Sequence, residues 1–126
     1  MPIQNNEGES YQPVFPMDCR KDTKTATIAA SGTVSTAVDI SAYNKGMFFL
    51  TSEFNSDTIT ILVSNKMDGG FTTLYEDGSA AAYTFAAPAA AAWHRIPEGA
   101  FAAGAIKIQT GTGVAAGATI TFCLKT

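Results

Sequence analysis

Charged residues are scarce in this chain of 126 residues, where Asp, Glu, Lys and Arg together make up 15%, well below the roughly 25% of an average soluble domain. A surface poor in charge suits a protein that works packed against neighbours, because charge is costly to bury at the core of an interface. A small Thr-rich β domain without any partner would have a similar composition. Composition leaves both interpretations open.

Basic residues are few and dispersed. Eight Lys and Arg stand against eleven Asp and Glu, for a net charge of -3, and the longest basic cluster is the pair of Arg20 and Lys21. Binding to nucleic acid needs a concentrated basic face, so we expect no nucleic-acid partner. No window approaches the ~20 apolar residues that cross a bilayer. The start, MPIQNNEGESYQP, lacks the features of a secretory signal. We expect a protein made in a cytoplasm, with no membrane partner.

The residues that carry most enzyme and metal chemistry are also rare. His94 is the single histidine, and no GxSxG motif accompanies it. The acidic residues lie mainly at expected turns, where a short carboxylate accepts hydrogen bonds from nearby backbone N–H groups. We therefore expect no catalytic residue, no metal site and no cofactor, with His94 packed or at the surface. Cys19 and Cys123 form no CxxC motif, and a cytoplasm would keep them reduced, although a disulfide between them stays open.

Residues 1–23 differ from the remainder of the chain. Three prolines, Pro2, Pro13 and Pro16, favour extended backbone and remove hydrogen-bond donors. Four apolar side chains lie close together in the same segment: Tyr11, Val14, Phe15 and Met17. We expect an extended N-terminal arm that uses these four residues to bind a neighbouring subunit or a shell. The alternative is a disordered leader whose apolar residues are incidental.

Residues 24–126 predict an all-β domain, an antiparallel sandwich of about eight strands with jelly-roll-like topology. Turn signals recur every eight to twelve residues, and no long helical pattern interrupts them. Apolar and polar residues alternate most clearly over 58–65 and 118–125. Six residues on the apolar sides of these two strands are expected to share the core: Ile59, Ile61, Val63, Ile120, Phe122 and Leu124.

The Ala-rich stretch 79–92 admits two interpretations, since alanine favours helix. A helix over 86–92 is one of them, but Pro88 and the aromatic flanks favour two strands joined by a loop, with a turn or one helical turn at 97–101. Ala and Gly dominate 79–92 and 99–105 and make smooth, uncharged surface. We expect self-association as a trimer through the charge-poor surface around residues 79–105. Three aromatics here are candidate protein-binding residues, with sugar stacking or core packing as alternatives: Tyr83, Phe85 and Trp93.

Three segments carry a resemblance to known proteins. They read SGTVSTAVDISAYNKGMFFL, ITILVSNKMDGGFTTLYEDGS and HRIPEGAFAAGAIKIQTGTGV. The most specific parts are the DGGFTTLY hairpin at 68–75, followed by Asp77 and Gly78, and IKIQTGT at 106–112. Over about three quarters of its length the chain resembles small β-sandwich structural proteins of tailed bacteriophages. The Ala-rich stretch departs from the pattern of these proteins, in which a shorter, more polar connection is expected.

The resemblance implies a structural protein of the virion, not an enzyme. Proteins of this kind include capsid decoration or cement subunits, which sit as oligomers on the capsid and bridge shell subunits. The major capsid protein or another virion subunit would then be the partner. A component of a tail or fibre with a carbohydrate-binding sandwich is the alternative.

Overall fold

The computed structural model describes residues 21–54, 57–75, 81–88 and 90–126. These residues form ten β-strands. In chain order the strands are β1 (Lys21–Ile28), β2 (Gly32–Val34), β3 (Val38–Asp39), β4 (Lys45–Leu50), β5 (Thr58–Ser64), β6 (Thr72–Thr73), β7 (Thr84–Ala86), β8 (Ala92–Arg95), β9 (Ala105–Val114) and β10 (Ala118–Lys125). A 3₁₀ turn at Ser52–Phe54 and a short helix, α1 (Glu98–Ala103), complete the regular structure of this part of the chain.

The strands form two antiparallel sheets that pack face to face. One sheet has four strands in the order β1-β10-β4-β8. The other has the order β2-β9-β5-β6, while β3 also pairs with β9 and β7 also pairs with β5. The predicted all-β sandwich is therefore confirmed.

The core lies between the sheets and is built mainly by alternation of inward and outward side chains along the longer strands. Ile59 and Ile61 on β5 are fully buried, as are Ile120, Phe122 and Leu124 on β10. Val63 is partly buried and packs against the same cluster. The six residues expected to share the core do so, because successive side chains of a strand point to opposite faces of its sheet.

The Ala-rich stretch contributes strands at both of its ends. Strand β7 ends at Ala86 and β8 begins at Ala92, and Ala87 between them is buried in the core. The prediction of two strands joined by a loop is confirmed over the described residues. The helical turn expected near 97–101 is α1, which is capped at its C-terminal end by Gly104 with a φ of 108°. Glycine adopts this left-handed conformation without the steric penalty of a side chain.

Strand β1 begins before the boundary that the sequence suggested for the arm. Residues 21–23 pair with Lys125, Leu124 and Cys123 on β10, so they belong to the sheet. The arm residues Tyr11, Val14, Phe15 and Met17 lie outside the described residues. Asp39 is one of the acidic residues expected at turns, and its Oδ1 accepts hydrogen bonds from the backbone N–H and the hydroxyl of Ser41 at 2.9 and 2.6 Å. These hydrogen bonds hold the pKa of Asp39 below its usual value.

Candidate protein-binding surface

Large apolar side chains are exposed on the outer face of the four-stranded sheet. Met47 on β4 is 43% exposed and Trp93 on β8 is 45% exposed. Phe49 is half-buried beside Trp93, its direct cross-strand partner, with ring centroids 5.0 Å apart. A contiguous apolar area of this kind on a soluble domain is typical of a site that binds another molecule.

Cations border this apolar area. Lys21 on β1 pairs with Lys125 on β10, which in turn pairs with Lys45 on β4. The three lysines therefore stand side by side on one face across three adjacent strands. Arg95 on β8 is the cross-strand partner of Met47, which follows Lys45 on the same face of β4. Like charges directly opposite each other destabilise a sheet, so this arrangement costs stability unless an anion lies over it.

The cations and the apolar side chains line one groove of about 560 Å³. We call it the outer groove. Its cations and its two most exposed large apolar residues are Lys21, Lys45, Met47, Trp93, Arg95 and Lys125. Phe101 of α1, Ile96 and Cys123 add further apolar surface. Its volume lies within the roughly 300–1,000 Å³ of ligand-binding clefts.

The charge of the outer groove is opposite in sign to that of the whole chain. Four of the eight basic residues of the chain line it. Glu98 is the one carboxylate among its lining residues in the described part of the chain. The chain as a whole has a net charge of -3. The groove therefore suits a partner that combines carboxylates or other anions with apolar side chains.

The structure separates the three aromatic residues expected to bind a partner. Phe85 pairs with the fully buried Ile59 and packs against the core, as Tyr83 does. Trp93 lies on the outer face, on the opposite side of the four-stranded sheet from Phe85. The three side chains therefore do not form one platform, and Trp93 is the member that lies in the outer groove.

His94 points inward from β8, next to Trp93. Its ring lies 4.7 Å from the ring of Phe85 and 5.7 Å from that of Phe48. Its Nε2 atom is buried and has no hydrogen-bond partner among the described residues. Burial lowers the pKa of His94, because the charged imidazolium loses its hydration there. These contacts place His94 among the packed aromatic residues at the edge of the core.

Three other features of the described residues bear on chemistry. No group of three His, Cys, Asp or Glu side chains among them is placed to hold a metal ion. No helix in this part of the chain has the length and apolar character needed to cross a membrane. Cys123 is a half-buried free thiol, while Cys19 lies outside the described residues.

Sequence reasoning missed most of the outer groove. The alternation of Lys45, Met47 and Phe49 along β4 could have shown that these three share the face opposite Phe48 and Leu50. No local signal places Lys21 and Lys125 beside Lys45, because these strands are distant in the sequence. Comparison with known proteins adds no constraint, since no family model, curated protein or solved structure matches this chain.

Proposed function

We propose that this chain is a structural protein of a tailed bacteriophage virion, a capsid decoration or cement protein that binds and stabilises the shell as a homo-oligomer. The observation that carries the proposal is the outer groove, where exposed Met47 and Trp93 lie beside four cations. The resemblance of the three sequence segments to phage structural proteins supports it. The protein would be made in the host cytoplasm and would need no catalytic residue.

The proposed mechanism is additive binding. Each contact with the shell is modest, but many copies on a symmetric particle raise the free energy needed to rupture it. The charge-poor surface of residues 79–105 supports self-association, since few charges there have to be desolvated. Phe101, which lies within that surface, also lines the outer groove. A trimer is the proposed oligomer, and the major capsid protein is the proposed partner.

Particle imaging tests this proposal. Purified protein is added to phage particles that lack it, and the particles are imaged before and after heating. We expect regular density on the outside of the capsid and a higher rupture temperature. The variant Trp93→Ala should bind the particles more weakly. The control is Thr25→Ala, which changes an exposed residue on the same sheet face outside the groove and should bind as the wild type does. Density confined to the tail, or no bound protein at all, would contradict a decoration role.

A tail or fibre component that binds carbohydrate is the second candidate, and the exposed indole of Trp93 favours it. Aromatic rings stack on the apolar faces of sugars, and Trp93 borders a groove with polar side chains. Binding to immobilised host-surface glycans tests this candidate. Binding that is lost in Trp93→Ala would favour it over the capsid role.

A further inference from the structure

The outer groove extends to the start of β1, which is also the start of the first described segment. Lys21 lines the groove and is also the first residue of β1. The 20 residues that precede it therefore join the domain at the rim of the groove. Any segment that covers the groove must supply anionic groups for Lys45 and Lys125 and apolar side chains for Met47 and Trp93.

Residues 1–20 have this chemistry. They contain three carboxylates, Glu7, Glu9 and Asp18, against one cation, Arg20. They also contain the four apolar residues already described as arm anchors: Tyr11, Val14, Phe15 and Met17. The segment thus combines an excess of negative charge with large apolar side chains, and it complements the groove in both respects.

The prolines of this segment favour docking on a neighbouring copy. Pro13 and Pro16 restrict the backbone to extended conformations just before β1. Met47 and Trp93 lie level with Thr23 and Thr25 in the strand register, so a chain that continues the line of β1 before Lys21 leads away from them and must reverse to enter its own groove. An extended segment of this length reaches up to about 70 Å, whereas a domain of this size has a radius of gyration of about 14 Å. The segment is long enough to reach a second copy without reversing.

We infer that the outer groove is the docking site for residues 1–20 of a second copy of this chain. Glu7 and Glu9 lie over the lysines, and the apolar anchors cover Met47 and Trp93. The contact is head to tail, so it closes into a ring when the rotation between copies allows it. This inference rests on the self-association part of the proposed function. It assigns the outer groove to a second copy, so the groove contributes to shell binding by holding the oligomer together.

A charge-swap experiment tests the inference with full-length chains. One variant reverses the groove, Lys45→Glu with Lys125→Glu, and a second reverses the arm, Glu7→Lys with Glu9→Lys. Each variant alone should self-associate roughly ten-fold more weakly than the wild type in sedimentation equilibrium, because several favourable charge contacts become repulsive. A third variant that carries all four changes should recover association, since its reversed arm matches the reversed groove of the next copy in a ring of any size.

Folding does not confound this test. In the groove variant, the acid at position 125 lies opposite Lys21 on one side and opposite the acid at position 45 on the other. The number of like-charge pairs in this row therefore falls from two to one, and the sheet should not lose stability. A matched control, Lys66→Glu with Lys107→Glu, makes the same change in net charge on residues that do not line the groove. We expect the control to associate as the wild type does. Circular dichroism checks that every variant is folded.

Cross-linking locates the contact directly. The variant Phe15→p-benzoylphenylalanine is prepared in full-length chains, half of them labelled with heavy isotopes, and the mixture is irradiated. We expect cross-links between heavy and light chains that join position 15 to peptides containing Met47 or Trp93. Cross-links confined to chains of the same isotope would show that the arm covers its own groove, and would overturn the inference.

Other results would overturn the docking inference or would separate it from the proposed virion role. If the wild type associates and the groove reversal leaves association unchanged, the groove is not the site, while the proposed virion role stands. If single-stranded DNA binds the groove and reversal abolishes that binding without changing association, the partner is nucleic acid. If the charge swap restores association but no copy binds particles, the docking inference stands and the virion role fails.

Discussion

Asp57 and Thr112, 55 positions apart in the chain, are joined by two hydrogen bonds to one carboxylate oxygen. Oδ2 of Asp57 accepts from the hydroxyl of Thr112 at 2.8 Å and from its backbone N–H at 3.2 Å. Oδ1 accepts from the backbone N–H of Thr58 at 2.9 Å. The backbone carbonyl of Asp57 also accepts from Ala87 at 2.7 Å. One residue thus ties the start of β5 to β9 and to the loop after β7.

Replacing Asp57 should therefore loosen one end of the sandwich. We expect Asp57→Ala to lower the free energy of unfolding by about 1–2 kcal/mol, because several backbone and side-chain donors lose an ionised acceptor. Urea denaturation measures this change. Asp68→Ala, in an exposed turn, is the matched control and should change stability by less than about 0.5 kcal/mol. Equal effects of the two changes would mean that the Asp57 hydrogen bonds contribute nothing measurable.

Gly46 is required by close approach between β4 and β10. A Cβ atom there would lie 2.6 Å from the backbone oxygen of Cys123 and 2.9 Å from Cδ2 of Leu124. We expect Gly46→Ala to destabilise the protein by about 1–3 kcal/mol through overpacking. Gly69→Ala should be tolerated, because nothing lies within 4 Å of its added Cβ. Thermal denaturation of both variants provides the comparison, and a tolerated Gly46→Ala would show that the two strands can separate at little cost.

His94 should make the stability of the protein depend on pH. Its pKa is lowered in the folded state, from an ordinary value of 6.5, so the unfolded chain binds more protons as the pH falls. The contribution of neutral His94 to the free energy of unfolding is fully present above about pH 6.5. It is lost as the pH falls from there to the folded-state pKa. We expect His94→Phe to flatten the pH dependence of unfolding between pH 7.5 and about 5. An unchanged profile would mean that the imidazole is hydrated or paired when folded.

Deleting residues 1–17 should separate folding from assembly. The core is built from described residues between Ala26 and Leu124, so the truncated chain should keep its β-rich circular dichroism spectrum and unfold cooperatively. Self-association and particle binding should both weaken, because the arm residues are absent. If the truncated protein decorates particles with unchanged affinity, the charge-poor surface of residues 79–105 carries the attachment.

The boundary of β1 shows where local patterns stop being informative. Lys21, Asp22 and Thr23 have no alternation of apolar and polar residues, and Asp and Lys are unfavourable in strands. They are nevertheless in a strand, because β10 offers backbone partners up to Lys125. Pairing with a distant strand overrides the weak preference of these three residues.

The sequence alone determined the β class, the loop within the Ala-rich stretch and the residues that face the core. Each depends on alternation or turn chemistry over a few neighbouring residues, and a strand orients successive side chains the same way wherever it pairs. Only the tertiary structure decided which outward-facing residues become neighbours. Lys21, Lys45 and Lys125 form one row because β10 pairs with β1 on one side and with β4 on the other, in register. That register is set by packing the whole core, and no local segment contains it.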